Sequence, residues 1–307
     1  MSAHHTHRRE PGRPAFGIAL AITAGYAVIE LAGGLWTGSL ALLSDAGHMF
    51  SDALALGLAA IAARLAQRPS GQRHTYGWER AEVIGALVNS VLMLAIVLLL
   101  VVEAVSRLRA PGPVAAAAMM LIALAGLLVN ATVIWVMSRG EPGLNSRAAM
   151  LHVMSDLVSS FAALVAGAVI YMTGWLPIDP ILSLVIAGLI LFSTLRLLRD
   201  TLHVLMEGVP PALELGEIGR GLAGLPGVVS VHDLHVWSIV PGRIALSAHI
   251  ELVEMREWPA ILAAARVLLH ERHGIEHITL QPEIHEAPGR RQTSVIQLWP
   301  RGHRPRG

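Results

Sequence analysis

The sequence contains no cysteine. That excludes disulfides, thiolate zinc sites, iron–sulfur clusters and cysteine nucleophiles, and leaves the redox compartment open. It contains no lysine either, so apart from histidine every basic side chain is an arginine. Charge is scarce: 15% of the 307 residues are charged, against about 25% in a soluble domain. Hydrophobic residues make up 54%, and the mean hydropathy is +0.57. Disorder, collagen and an ordinary soluble enzyme are excluded. The net charge of +1 provides no global field for nucleic acid, so no nucleic-acid partner is expected. HExxH and G-x-S-x-G are missing as well. What remains to be explained is an excess, 15 histidines.

A membrane helix needs about 20 mostly apolar residues. Six stretches qualify, at 15–36, 39–63, 81–106, 114–137, 148–174 and 177–196. Long apolar runs stop near residue 205, and charges and histidines become frequent. The expected organisation is a polar segment at 1–14, a six-helix transmembrane domain at 15–205, a cytoplasmic domain at 206–286 and a disordered Arg/Pro/Gly tail at 287–307. The opening MSAHHTHRREPGRP is too polar for a secretory signal, and the apolar run behind it is too long. Eleven arginines fall at the N-terminus, in the second and fourth connections and after span six; only Arg107 and Arg109 lie on the other side. Arginine marks the inner face, so both termini are expected to be cytoplasmic.

The tail patterns as helix 211–223, strand 228–239, a Pro241-Gly242 turn, strand 243–253, helix 257–272 and strand 275–284. That order, αββαβ, predicts a small α+β sandwich with one antiparallel sheet.

The chemistry lies in an echo between spans two and five. Span two reads SDAGHMFSDALAL, with His48 and Asp52; span five reads AAMLHVMSDLVSS, with His152 and Asp156. Residues four apart share a helical face. If the two faces meet, two imidazoles and two carboxylates form a tetrahedral N₂O₂ set that suits Zn²⁺, and that other divalent transition metals also accept. Asp45 shares the span-two stripe nearer its outer end and is placed on the exit path or behind a ligand. Glu30, Asn89, Asn130 and Asp179 are expected to bond between helices. Glu79, Arg80 and Glu82 form a candidate inner charge network.

Two aspartates and two neutral imidazoles total −2, which a divalent cation cancels. An empty site would leave uncompensated charge in low dielectric, so departure of the metal recruits protons, most readily to His48 and His152. Metal binding in turn displaces them. Exchange of metal for protons by alternating access follows, with a divalent-metal channel or uniporter, or a membrane metal sensor, as alternatives. An intramembrane hydrolase is disfavoured because four protein ligands leave zinc no position for water; the chain is not expected to be an enzyme.

Taken together, SLALLSDAGHMFSD, RHTYGWERAEVIGALVN, LHVMSD, IDPILSLVIAGLIL and VHDLHVWSI resemble the cation diffusion facilitator family, close to its zinc-exporting branch, from about residue 15 to 286. The resemblance implies Zn²⁺ export from the cytoplasm against H⁺, in a homodimer in the bilayer of a bacterial inner or plasma membrane. It also implies six spans and a ferredoxin-like cytoplasmic domain. By motif position it assigns His48, Asp52, His152 and Asp156 to the transport site, with histidine at the first position as in zinc-selective members. In the loop before span three, where some relatives bind a second metal, only His74 keeps a ligand type; Gly71 and Trp78 stand at the other places, so that site is expected to be absent or weak. In the cytoplasmic domain it implies a regulatory zinc site at His232, His249 and His285, with Glu286 a weaker match; His235, further along the first strand, is expected to join or replace His232. His270, His273 and His277 are read as solvent-facing.

Overall fold

A computed structural model describes residues 13–68, 70–138 and 144–285. Six long helices come first: α1 Arg13–Thr37, α2 Leu40–Ala66, α3 Ala81–Arg109, α4 Ala116–Ser138, α5 Leu144–Thr173 and α6 Ile178–Leu205. Each sits on one of the six apolar runs. Among the described residues, α2 to α6 are long and apolar enough to cross a membrane. The sixth runs about nine residues past the expected end at 196, because Leu197, Leu198 and Leu202 continue the helical pattern beyond the arginines. Side chains such as Leu99, Leu121, Leu189 and Phe192 remain exposed, as a lipid-facing surface requires.

The chain divides into two compact units, residues up to 59 with 88–198, and 60–87 with 199 onward. In the first, α4 packs against α1 and α5. Its centre is built largely from small residues, Ala41, Ala123, Ala163 and Ala166, with Leu42 and Met119 among them. Gly126 lets α1 and α4 approach closely, since a Cβ there would overlap the Tyr26 hydroxyl. Packing of this kind replaces the hydrophobic drive that lipid removes.

The α1–α2 turn is held from three sides. Gly38 has φ +72°, and a Cβ on it would stand 2.9 Å from the Pro113 carbonyl oxygen. The Ala115 N–H donates to the Thr37 carbonyl at 2.9 Å, and Arg107 donates to the Gly38 carbonyl. On the far side, Asp179 from the first turn of α6 accepts from Ser39 Oγ at 2.6 Å, the Leu40 N–H at 2.7 Å and the Ala41 N–H at 3.2 Å. The start of a helix leaves N–H groups without partners, and a carboxylate there is favoured by the dipole. Arg107, an exception to the arginine asymmetry, is accounted for by the opposite end: a cation at the C-terminus of α1.

The second unit contains helix α7 Leu215–Ala223, strand β1 Val228–Val240, strand β2 Arg243–Leu252, helix α8 Trp258–His273 and strand β3 His277–Ile284. This is the expected αββαβ order. The sheet order is β1-β2-β3, and β1 pairs antiparallel with β2 across the Pro241-Gly242 turn. The expectation of one antiparallel sheet is corrected at β3, which runs parallel to β2. The 16-residue α8 carries the chain back along the sheet, and a long crossover of this kind delivers a parallel strand where a two-residue turn cannot. Ile218 and Leu222 of α7, and Ile261, Ala265 and Leu269 of α8, recur every fourth residue and cover Val231, Leu246, Ile250 and Leu252. Each large side chain of that core contributes about 1.5–3 kcal/mol. Gly274, at φ +64°, ends α8 by returning its N–H to the His270 carbonyl while Ile275 donates to Leu269.

Replacing Asp179 with alanine would orphan two backbone N–H groups and the Ser39 hydroxyl in a fully buried place. The expected cost is about 2–4 kcal/mol, read as a lower thermal midpoint in detergent. Asp179→Asn, which keeps one acceptor oxygen, should lose less. An unchanged midpoint for the alanine variant would show that the cap contributes nothing.

Candidate functional site

Asp45, His48 and Asp52 occupy one stripe of α2, as their spacing requires. His48 Nε2 lies 3.6 Å from Asp52 Oδ2, and both side chains are half-buried. The neighbouring Ser51 faces elsewhere and donates to Asn89 Oδ1 of α3 at 3.3 Å. On α5, Asp156 is wholly buried in mid-helix. His152 stands one turn before it; its side chain lies outside the described residues.

One turn beyond Asp156, α5 touches α2. Ser159 Oγ donates to Asp45 Oδ1, and Ser160 Oγ donates to Asp45 Oδ2 at 3.4 Å. Ser159 Oγ is also 3.0 Å from the Asp156 carbonyl. Ser160 in turn receives a hydrogen bond from Asn130 Nδ2 of α4 at 3.3 Å. Asp45 therefore ties α2 to α5 at the level next to His48. Asn89, Asn130 and Asp179 bond between helices as expected, whereas Glu30 is wholly buried beside Tyr26 of its own helix.

A second group lies on the sheet face turned away from α7 and α8. Strand register sets His232 opposite His249. Glu283, on β3, reaches diagonally back to both: its carboxylate is 2.7 Å from His249 Nδ1 and 3.1 Å from His232 Nε2. The two rings lie 5.3 Å apart. Ligand atoms of the three all fall within 4.8 Å of one another. His232 is 4% exposed, and its Nδ1 has no hydrogen-bond partner, an unpaired acceptor or donor in a buried place. Two imidazoles and one carboxylate fit zinc with one position open.

The sequence placed His285 and Glu286 beside His232 and His249; the structure groups Glu283 with them instead. His285 is bonded to Glu251 at 3.3 Å, a carboxylate that also accepts from Ser230 Oγ at 2.5 Å. Glu286 lies outside the described residues. Glu283 shares its face with His285, two residues on, so alternation alone would have offered both; register decides between them, since Gln281 pairs with His249 and Glu283 stands two residues beyond it, His285 four. His235 is held apart by a bulge: Asp233 has φ +51°, and one extra residue enters β1 between His232 and His235. His235 is exposed and 3.0 Å from Asp233 Oδ1, whose other oxygen is 3.8 Å from His249. Asp233 thus links His235 to the rim of the group without placing it inside.

The loop histidine His74 stacks on Trp78 with centroids 4.1 Å apart. The expected charge network at Glu79 and Arg80 extends into the cytoplasmic domain: Arg80 pairs with Glu207 at 3.2 Å, and Arg243 with Glu79. His277 meets the edge of Tyr76 at 5.6 Å, and burial holds His273 below the ordinary imidazole range.

Comparison with known proteins agrees with this architecture at both ends. Residues 17–206 match the family model of the cation efflux transmembrane domain, and residues 210–285 match that of the cation efflux protein cytoplasmic domain. The zinc transporter ZitB of Escherichia coli K12 is 41% identical over 88% of this chain and 87% of its own length. The cadmium, cobalt and zinc/H(+)-K(+) antiporter of Bacillus subtilis is 38% identical over 91% of each. The metal cation efflux system protein CzcD of Cupriavidus metallidurans is 34% identical over 92% of this chain and 91% of its own. A solved structure, the metal-bound C-terminal domain of CzcD from the same organism, is 29% identical over 23% of this chain and 99% of that one, with a TM-score of 0.22. The chain belongs to the cation efflux family: it is a multi-span membrane transporter for metal cations, and not an enzyme.

Proposed function

We propose that this protein exports Zn²⁺ from the cytoplasm in exchange for protons, around a site formed by His48, Asp52, His152 and Asp156. The observation that carries this reading is the contact of Ser159 and Ser160 with Asp45. Helices two and five of a six-span bundle run antiparallel. Stepping along both from that contact, at equal rise per residue, brings His48 level with Asp156 and Asp52 level with His152. Each level then offers one imidazole and one carboxylate. A fully buried Asp156 supports a role beyond packing, because an ionised carboxylate in hydrocarbon costs about 2.5–3.5 kcal/mol even on insertion scales.

The four groups hold −2 when deprotonated, which Zn²⁺ neutralises. When the metal leaves, the imidazoles take up protons, so the two cargoes exclude one another. The arginine asymmetry supports a cytoplasmic position for both termini and for the tail domain, from about residue 206. The relatives named as zinc transporters and as a zinc/H(+)-K(+) antiporter support the metal and the coupling. The cytoplasmic domain forms the interface of a homodimer and takes a regulatory Zn²⁺ at His232, His249 and Glu283.

Two outcomes are expected. In proteoliposomes carrying an internal pH reporter, zinc flux should be accompanied by opposite proton flux, and Asp156→Ala should reduce both by ~100-fold or more, beyond the 10–100-fold typical of an outer-shell partner. Zinc flux without proton movement would instead mark a uniporter or channel. Against an Asp156→Ala background, calorimetry on the full-length protein should still detect zinc, and adding Glu283→Ala should weaken that binding by about 10–100-fold. Adding Glu286→Ala should leave it as it was. The reverse ranking would return the ligand role to the end of the strand.

A further inference from the structure

The facing stripes of α2 and α5 change character along their length. At the first level, Ala41 and Leu42 share one buried apolar cluster with Ala163, Ala166 and Ile170. One turn on, Asp45 meets Ser159 and Ser160. About a turn further still come His48 on α2 and Asp156 on α5. Apolar packing gives way to hydrogen bonds, and these to the proposed ligands.

The middle level is built as a clasp. Asp45 is 1% exposed, and Ser160 is fully buried. Each serine hydroxyl donates to a different oxygen of the Asp45 carboxylate, which fixes its position and its rotation. Ser160 also receives the Nδ2 of Asn130, itself fully buried, so the clasp continues into α4. Helices α4 and α5 pack closely on one another, and a Cβ on Gly167 would overlap Met120. They form a firm wall, to which Asp45 fastens α2. Ser159 has one proton and a second acceptor in reach, the Asp156 carbonyl of its own helix at 3.0 Å.

We propose that Asp45, held by Ser159 and Ser160, is a positioning residue that sets the distance across the metal site and so favours the smaller divalent ions. This rests on the four-ligand reading above. Zn²⁺ takes nitrogen and carboxylate oxygen at about 2.0–2.2 Å in a tetrahedron. Cd²⁺ carries the same charge and accepts the same donors, but at longer distances and with more ligands. A site whose halves stand on two helices rejects the larger ion only if those helices cannot spread. The clasp lies about one turn from His48 and Asp156, close enough for any spreading there to strain it. Spreading would part α2 from two hydroxyls in a buried place that offers few replacements. A constraint on spacing weighs against the large ion and leaves the small one undisturbed, so the clasp acts on selectivity without touching the metal.

The test reads kcat/KM for Zn²⁺ and for Cd²⁺ uptake by the full-length protein in proteoliposomes. Asp45→Asn keeps the shape of the side chain and weakens the clasp. Ser159→Ala removes one of its two bonds. In each, the zinc-over-cadmium ratio should fall by about 10-fold, the lower end of what losing a residue behind the ligands does to a metal site, chiefly because cadmium uptake rises. Where wild type moves no measurable cadmium, both variants should bring it above the detection limit. Ser159→Thr keeps the hydroxyl and should return the ratio to wild type. Asn89→Ala removes a buried bond of the same kind between α2 and α3 and should leave the ratio unchanged. Equal loss of both metals at an unchanged ratio would reduce the clasp to packing and overturn the proposal, as would a fall of the same size in Asn89→Ala. Should Asp45→Asn not fold, Ser159→Ala decides, since the Ser160 bond remains. Uptake of both metals that survives Asp156→Ala would instead sink the four-ligand reading itself.

Discussion

In hydrocarbon, a polar group that does not find a partner within the protein finds none, and this constraint organises the bundle. The N–H groups at the start of α2 are met by Asp179, a side chain 138 to 140 positions away in sequence. The carbonyl of Gly38 is met by Arg107. Asn130 is met by Ser160, Ser51 by Asn89, and Asp45 by two serines. Each of these bonds joins two helices that lipid would otherwise leave free to separate. The same shortage of partners that stabilises the bundle makes a buried carboxylate costly, and so makes it responsive to a cation. Structural roles and the proposed transport role draw on one set of polar residues because the membrane tolerates so few.

Much of this was legible in the residues. Six apolar runs marked six helices, since length and composition suffice where the solvent is lipid. The His-x-x-x-Asp spacing marked one stripe of α2, because four residues make about one turn. Glu30, Asn130 and Asp179 stood out simply by being polar within apolar runs. Their partners were not legible: nothing about Asp179 points to Leu40, and that pairing exists only after α6 is laid beside α2. The cytoplasmic domain divides in the same way. Alternation located its three strands and α8's spacing its helix, but the direction of β3 depends on which end of the sheet α8 returns to. The grouping of Glu283 rather than His285 with His232 and His249 depends on the register of β3 against β2, and the exclusion of His235 depends on a single bulged residue at Asp233. Local periodicity carries neither.

The two proposed metal sites are therefore built on different principles. The membrane tetrad relies on helical repeat, with two copies of one motif supplying matched halves. The cytoplasmic group relies on strand register, with one residue from each of three strands. The first has its carboxylate Asp156 wholly buried, where the proposed exchange would draw on the energy of desolvated charge. The second keeps His249 and Glu283 partly open to water, so a metal there would be held by ligand geometry and would exchange with its surroundings.

Asp179 has a mechanical consequence. Its carboxylate grips the first turn of α2 through two backbone N–H groups and a hydroxyl, so α2 cannot slip along its own axis past α6 without breaking all three at once. A piston or screw motion of α2 against α6 is closed to this protein. In the proposed exchange, the motion that exposes His48 and Asp52 to one side of the membrane and then the other would carry the Asp179-linked ends of these two helices together, as a tilting pair pivoting at the α1–α2 turn.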